Sequence, residues 1–560
     1  MASNGDIYAC SRLRDGPQTL MNSPVERKPE RDPRPGELRS DKKPLSFRVT
    51  RGVVFSLVRK LVSGPLFLLL VPFILHRVGN AGYGTWSILG TLIGLSWFLD
   101  LGVSGSVAKQ IAEHRGRGDV TQLRQVVDTS CAMYLIITTI ALFLLWFFSQ
   151  ALIREFFRGP EAPPLPVVLS LWPLLLPTIA TDLLTKPFMA VINGFQRLDL
   201  SNVLLFSGNA CNAILTVIFL LSGAKLQGLL LAAFLSALLT LIVSVALALR
   251  LLPSFVPNPI RCDFRTAKRI CSFSMGLYAG SIMTAIQGQA EKLYLARFVG
   301  VVPVGWYDMA SQAASKVRRV PDLLLGPVMT AASELDAAGE RGKIAQLYFR
   351  AHKYLAVTVI PLVGYALFAA KPLITVWLGA KFSFVALPFA LLVVGNLFPQ
   401  IGAPTYYVLV GQGILRPSIY AALIASVLNV VLSFIFILRW GFVGAVWGTV
   451  IPMIVSNVYF FIACEPYSEI PFLEILRRAY LKPLLCSLAA GAGMSAISAL
   501  GMGLWRQLLV GTAIYAIVYL VGLGLTRFFD EFDFSKAEGH LPFVRLARRL
   551  IPVSYNEQNF

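Results

Sequence analysis

The sequence predicts an all-α, polytopic membrane protein of about fourteen transmembrane helices, two six-helix lobes related by an internal repeat plus a C-terminal helix pair. Three observations carry this. The 560 residues are 56% hydrophobic and only 14% charged, where a soluble domain carries roughly 25% charge. Apolar runs of about 20 residues follow one another from Gly52 to Thr526, each long enough to cross the hydrocarbon core as a helix. Finally, the two halves share spaced landmarks. Val78-Gly79-x4-Gly84 is answered by Val299-Gly300-x4-Gly305, and Arg117-Gly118-Asp119 by Arg341-Gly342-Lys343, at shifts of about 221 and 224 residues. Gly194 and Asn212 map to Gly411 and Asn429 at about 217. Any one match is weak among so many glycines, but three in order at nearly one offset point to duplication.

Taken in order, residues 1–47 are rich in Arg, Pro, Asp and Glu without periodicity and read as a disordered, basic cytoplasmic tail. The first lobe, 48–255, holds spans at about 52–75, 83–108, 127–150, 166–192, 200–222 and 226–250. The second, 256–466, holds 269–290, 303–330, 353–377, 384–409, 417–438 and 441–464. The extra pair, 480–500 and 504–526, lies within 467–527. A cytoplasmic tail, 528–560, ends the chain, and its Leu541–Ile551 stretch sets apolar residues beside Arg545, Arg548 and Arg549, as a short interfacial helix would. Prolines at 65, 72, 173, 177, 327, 388 and 399 fall inside the spans and permit bends. Gly90-x3-Gly94 and Gly444-x3-Gly448 allow close helix approach.

The net charge of +20 would suggest nucleic acid in a soluble protein. Here Lys and Arg fall mostly between apolar spans, where anionic lipid and the positive-inside rule account for them. With both termini in the cytoplasm, about eighteen loop Lys and Arg lie inside against about ten outside. The seven cysteines form no Cys-x2-Cys pair and the four histidines no cluster, so no disulfide frame, zinc site or other cofactor is expected. No Gly-x4-Gly-Lys-Ser/Thr loop is present, and the outer loops are short, which leaves little room for a soluble catalytic module.

Chemistry then rests on ionisable residues within the spans, because a charge at the bilayer centre costs roughly 2.5–3.5 kcal/mol on insertion scales and does not face lipid without reason. The candidate cavity cations are Arg59, Lys60, Lys186, Lys292, Lys316, Arg318 and Arg319, and the candidate coupling carboxylates are Asp100, Asp182 and Glu291. Six of these have a plainer alternative. Arg59, Lys60 and Lys292 lie near helix ends, where long side chains snorkel. Asp182 and Lys186, at i and i+4, can pair. Asp100, well inside the second span, can fix packing.

The turn with Tyr83-Gly84, the Asp100-Leu101-Gly102 step, the Gly118-Asp119 loop and the start of the second half together resemble the polysaccharide-biosynthesis (O-antigen/oligosaccharide) flippases of the multidrug/oligosaccharidyl-lipid/polysaccharide exporter superfamily. The resemblance spans about residues 45–527. It implies two six-helix bundles facing each other in a V, a central cavity and alternating access. The substrate it implies is an undecaprenyl-diphosphate-linked oligosaccharide, moved between leaflets of a bacterial cytoplasmic (inner) membrane. The lipid bilayer and other membrane proteins of polysaccharide assembly would be the partners. In related lipid II flippases, cavity cations come from the first and eighth helices, which Arg59 and Lys316, Arg318 and Arg319 match by helix. A diphosphate needs cationic partners in a protected place, and an inside-negative potential favours outward movement of an anion by roughly 2.3 kcal/mol per charge per 100 mV. A cation-coupled drug exporter of the same superfamily, a polymerase or ligase of the same pathway, and a non-transporting scaffold are the competing expectations.

Overall fold

The computed structural model describes residues 45–530, apart from 101, 160, 253–255, 320–321, 469, 499–500 and 502, together with 533. Side chains of 45–63, 273, 275–287 and 319–324 are also outside the described residues. The expected N-terminal tail up to residue 44 and the 541–551 amphipathic helix therefore lie outside them.

Among the described residues the protein is all α. The first half comprises α1 (Leu45–Leu99), α2 (Val103–Arg117), α3 (Val120–Phe147), the short α4 (Ser149–Phe156) and α5 (Leu165–Leu169), α6 (Trp172–Gly194), α7 (Leu198–Leu221) and α8 (Lys225–Leu251). The second half comprises α9 (Phe264–Phe298), α10 (Val301–Arg319), α11 (Asp322–Ala337), α12 (Arg341–Phe368), α13 (Ala370–Leu378), α14 (Ala386–Gly411) and α15 (Arg416–Cys464). After the one-turn α16 (Phe472–Ile475) come α17 (Leu481–Ser498) and α18 (Leu504–Leu525). Ten helical segments are long and apolar enough to cross a membrane. Two of these are bent: α1 breaks at Gly79 (φ 74°) and α15 at Gly441 (φ 54°), each covering two of the expected spans. The expected number of fourteen is not established. α10 falls short of the required apolarity because Asp308, Gln312, Lys316, Arg318 and Arg319 crowd its nineteen residues.

One expected span is interrupted among the described residues. The 83–108 span ends at Leu99 and restarts at Val103, with Gly102 in the left-handed region (φ 72°). Asp100 therefore does not lie within a helix. Its carboxylate accepts from Ser104 N (3.3 Å) and Ser104 Oγ (2.7 Å) at the start of α2, and from the buried Tyr134 hydroxyl of α3. It ties the broken helix ends to their neighbour. The 303–330 span is described as α10 up to Arg319 and as α11 from Asp322, and residues 320–321 between them lie outside the described residues.

The internal repeat is visible in turn geometry, with one correction. Gly118 and Gly339 both adopt left-handed φ (70° and 71°). Asp119 N donates to His114 O, and Glu340 N to Leu335 O, both at 3.0 Å. Thus Gly118-Asp119 corresponds to Gly339-Glu340, at the shift that relates Gly84 to Gly305, and not to Gly342-Lys343. Sequence comparison slipped because Arg341-Gly342, just past the true equivalent, repeats the Arg117-Gly118 pair. At the ends of α6 and α14, Gln196 (φ 59°) and Gly413 (φ 78°) occupy matching turns, closed by Arg197 N to Ile192 O and Ile414 N to Leu409 O.

The two halves meet backbone to backbone. A Cβ on Gly84 would lie 2.1 Å from the Val301 carbonyl oxygen, and one on Gly305 3.1 Å from the Gly84 nitrogen. These glycines are the equivalents in the repeat, so the contact joins like positions of α1 and α10. Gly444 and Gly448 are also tightly packed, against Phe436 and Ser433, whereas Gly90 faces open space and Gly94 meets only Gln289. A Gly84→Ala substitution is expected to push α1 off α10 and cost about 1–3 kcal/mol, as overpacking does, read as a lower unfolding midpoint in detergent; Gly90→Ala is expected to leave it unchanged.

One core cluster runs through both halves, from Val71 and Leu89 through Leu183 and Val304 to Val359, Leu392 and Val450. The last pair, α17 and α18, packs on α12: Tyr519 Oη donates to Val357 O (3.1 Å), and Tyr365 and Thr512 hydroxyls pair at 2.7 Å. Beyond α18 the chain is latched to α12. Lys353 Nζ lies 3.1 Å from Asp530 Oδ2 and also binds Asp533, while Tyr354 Oη donates to Asp533 Oδ1 at 2.7 Å. Burial opposes the Asp530 charge, but Lys353 and the Asp533 amide outweigh it and hold its carboxyl below the usual carboxylate range. A depressed folded-state value means that the latch contributes stability above the unfolded aspartate value of about 3.9 and loses it as pH falls through the folded value. Hydrogen exchange at 526–530 is expected to stay slow at pH 5 and to accelerate as pH drops below about 3.9.

Candidate functional site

A cavity of about 270 Å³ lies between the two halves, walled by Leu66, Phe67, Leu70, Val71 and Ile74 of α1 and Phe206 of α7. Its polar side is formed by Tyr83, Asn209, Asn212, Asp308 and Gln312. The sequence explains the arrangement. On α10, Asp308, Gln312 and Lys316 recur at i, i+4 and i+8 and so share one face, while Ala310 and Ala314 are buried in the core.

Behind that face is an ion pair. Lys292 Nζ of α9 lies 2.5 Å from Asp308 Oδ1, with side-chain exposures of 13% and 7%. Tyr83 Oη of α1 donates to Asp308 Oδ2 at 3.1 Å. Asp308 therefore joins the halves: its carboxylate holds a cation of the second half and a hydroxyl of the first. Lys316, a turn past Gln312, places Nζ 4.6 Å over the Phe67 ring, a second bridge to α1.

The neighbouring Glu291 is fully buried. Its Oε1 accepts from Asn429 Nδ2 (2.5 Å) and Thr449 Oγ1 (2.9 Å) of α15, and Thr449 pairs with the Tyr307 hydroxyl at 2.8 Å. Asn429 Nδ2 also donates to the Gly448 carbonyl (3.1 Å). Three buried oxygens here have no protein partner: Glu291 Oε2, Asn429 Oδ1 and Ser433 Oγ. Asn429 and Ser433 are one turn apart, and both meet Gly448. A set of hard oxygens with one carboxylate suits a proton or a small cation, not a soft transition metal. Among the described residues no group of three or more His, Cys, Asp or Glu could hold a metal.

The other predicted residues are placed as follows. Lys186 Nζ and Asp182 Oδ2 pair at 3.1 Å, as the i, i+4 spacing suggested, and Ser96 Oγ of α1 donates to the same oxygen at 2.5 Å. Asp100 is bound by Ser104 and Tyr134 as described above. Arg318, at the end of α10, lines a separate cleft with α14 and α15. The side chains of Arg59, Lys60 and Arg319 lie outside the described residues. Sequence reasoning named Lys292 but missed its partner Asp308, as well as Tyr307 and Thr449. The polar stripe on α10, Asp308, Gln312 and Lys316 at four-residue spacing, is the signal that would have found Asp308.

A profile of the family described as "Polysaccharide biosynthesis protein" matches residues 49–333. The "Putative O-antigen transporter" of Shigella flexneri is 21% identical over 255 residues, covering 44% of this chain and 58% of that relative's length. Among solved structures, the inward closed conformation of the lipid II flippase MurJ superposes with TM-score 0.62 at 16% identity, over 86% of this chain and 98% of that one. An inward-facing MATE family multidrug resistance transporter of the MOP superfamily superposes with TM-score 0.59 at 16% identity, over 74% and 98%. These structural likenesses are of fold alone. Because the family profile spans half the chain, the protein belongs to the polysaccharide biosynthesis protein family, as a multi-pass membrane protein.

Proposed function

We propose that this protein is a flippase that carries a polyprenyl-diphosphate-linked oligosaccharide from the inner to the outer leaflet of a bacterial cytoplasmic membrane by alternating access. The observation that carries the proposal is the interhalf cavity, apolar along α1 and polar at Asp308, with the Lys292 ammonium paired behind it. A lipid-linked glycan is likewise an anionic head on an apolar chain. The lobes are 48–255 and 256–466, with 467–527 as a flanking pair and both termini in the cytoplasm.

Charge competition gives the cycle a physical basis. Lys292 holds Asp308, and Asp308 holds Tyr83 across the halves. A diphosphate entering the cavity offers Lys292 and Lys316 a more highly charged partner. When Lys292 turns to it, Asp308 loses its cation and keeps only the Tyr83 hydroxyl across the halves, so binding rearranges the α1–α10 face. Outward movement of the anion is helped by the membrane potential, and the Glu291 cluster supplies a place for a coupling proton or cation. The drug-exporter alternative calls for an acid free to meet a cationic drug, and Asp308 is already paired with Lys292.

The test is a leaflet-resolved assay in proteoliposomes, with a labelled polyprenyl-diphosphate glycan accessible to an external glycosidase only in the outer leaflet. The wild-type protein is expected to speed equilibration at least tenfold over empty vesicles. Equal rates would overturn the proposal.

A further inference from the structure

The second half contains a cleft of about 270 Å³ between the end of α10, α14 and the two arms of α15. It is separate from the interhalf cavity, and its lining differs in chemistry: Gln400, Tyr406 and Tyr407 of α14, Ser418 and Asn457 of α15, and Arg318. We propose that this cleft is a saccharide subsite, which holds one sugar ring of the headgroup while the diphosphate occupies the interhalf cavity. This rests on the flippase reading and adds to it where the glycan is held.

Four features argue for a neutral, hydroxyl-rich ligand. Gln400 is 3% exposed and lines the cleft; its Nε2 donates to the Asn396 carbonyl at 3.0 Å, but its Oε1 has no protein partner. A buried amide oxygen left so costs about 1–3 kcal/mol and is ready to accept from a hydroxyl. Pro404, four residues on, has no N–H to give the Gln400 main-chain carbonyl, which leaves a second acceptor on the same turn. Space comes from Gly402, where a Cβ would lie 3.1 Å from Asn457 Oδ1. Tyr406 is 42% exposed, with its ring 5.5 Å from that of Tyr407 at 77°. An exposed tyrosine in a cleft of mixed polar and apolar lining gives a ring face for the C–H side of a sugar and a hydroxyl for its edge.

Position agrees with this assignment. Arg318 stands ten residues beyond Asp308 on α10, about 15 Å along the axis. One helix therefore connects the anion-binding end to the cleft, in the order in which diphosphate and sugars are joined. Arg318 at the cleft adds guanidinium donors for sugar hydroxyls.

The experiment uses the full chain in nanodiscs and two probe classes. Saturation-transfer NMR with the methyl glycosides of glucose, galactose, rhamnose and N-acetylglucosamine reports the cleft; competition-free binding of geranyl diphosphate reports the interhalf cavity. At least one glycoside is expected to bind the wild type. Gln400→Leu and Tyr406→Ala are each expected to weaken it at least tenfold, and Tyr406→Phe to retain it, while geranyl diphosphate binds all four proteins alike. Failure of every glycoside alongside normal geranyl diphosphate binding would overturn the subsite and leave the flippase proposal standing. Glycoside binding unaffected by Gln400→Leu and Tyr406→Ala would also overturn it. Loss of both probes in a variant that unfolds is resolved by Tyr406→Phe, whose full binding of diphosphate with no glycoside signal counts against the subsite.

Discussion

Lys292→Met is expected to abolish transport and to destabilise the protein, and adding Asp308→Asn is expected to restore the stability alone. The two side chains form a close pair in a nearly dry place. Removing only the lysine leaves Asp308 with the Tyr83 hydroxyl as its remaining partner across the halves. Breaking a buried pair from one side costs about 3–5 kcal/mol, whereas replacing both charges by neutral groups of similar size is often neutral or stabilising. The single variant should therefore unfold at a markedly lower temperature, and the double variant near the wild type. Transport separates the roles. If Lys292 is the cation that takes over the diphosphate, the double variant stays at background in the leaflet assay despite its recovered fold. A double variant that flips glycolipid at the wild-type rate would reduce the pair to a structural bridge.

Much of the architecture is legible before any coordinates, for a simple reason. In a bilayer each crossing must satisfy its own backbone, so a long apolar run is a helix whatever its neighbours do. The positions of most expected spans follow from this. What the runs do not disclose is where a helix stops without leaving the apolar phase. Gly79 and Gly441 bend the chain between consecutive helices, and the Asp100–Gly102 step breaks one in the middle. Each is a local backbone event inside a stretch of unchanged hydropathy. The site was legible in part: charge in an apolar span is costly, so Lys292, Glu291 and Lys316 stood out. Their partners did not, because pairing is a tertiary fact. Lys292 lies next to Glu291 in sequence yet binds Asp308, while Glu291 turns to Asn429 and Thr449, more than a hundred residues away.

That division of labour between adjacent residues leads to the second large effect, at Glu291. Replacing it with Gln keeps the shape and the acceptor for Asn429 and Thr449 but removes the negative charge. An isolated buried carboxylate is expensive unless something neutralises it, and the nearest lysine is committed to Asp308. Its free Oε2, Asn429 Oδ1 and Ser433 Oγ are three oxygens of which only the serine hydroxyl can also donate; a proton or a small cation suits them and an anion does not. Because α15 carries Asn429, Ser433 and Thr449 while α9 carries both Glu291 and Lys292, occupancy of this cluster bears on the helix that carries Lys292. Wild-type transport should therefore rise when an inward sodium or proton gradient is imposed, and Glu291→Gln should flatten that response at least tenfold while the unfolding midpoint moves little. Ser433→Ala, which removes one oxygen but no charge, should distinguish the two ions: a proton needs only the carboxylate, whereas a bound cation loses a ligand and its apparent affinity falls. Wild-type rates indifferent to both gradients would mean that the cluster is a structural joint between α9 and α15, and that the membrane potential alone drives the cycle.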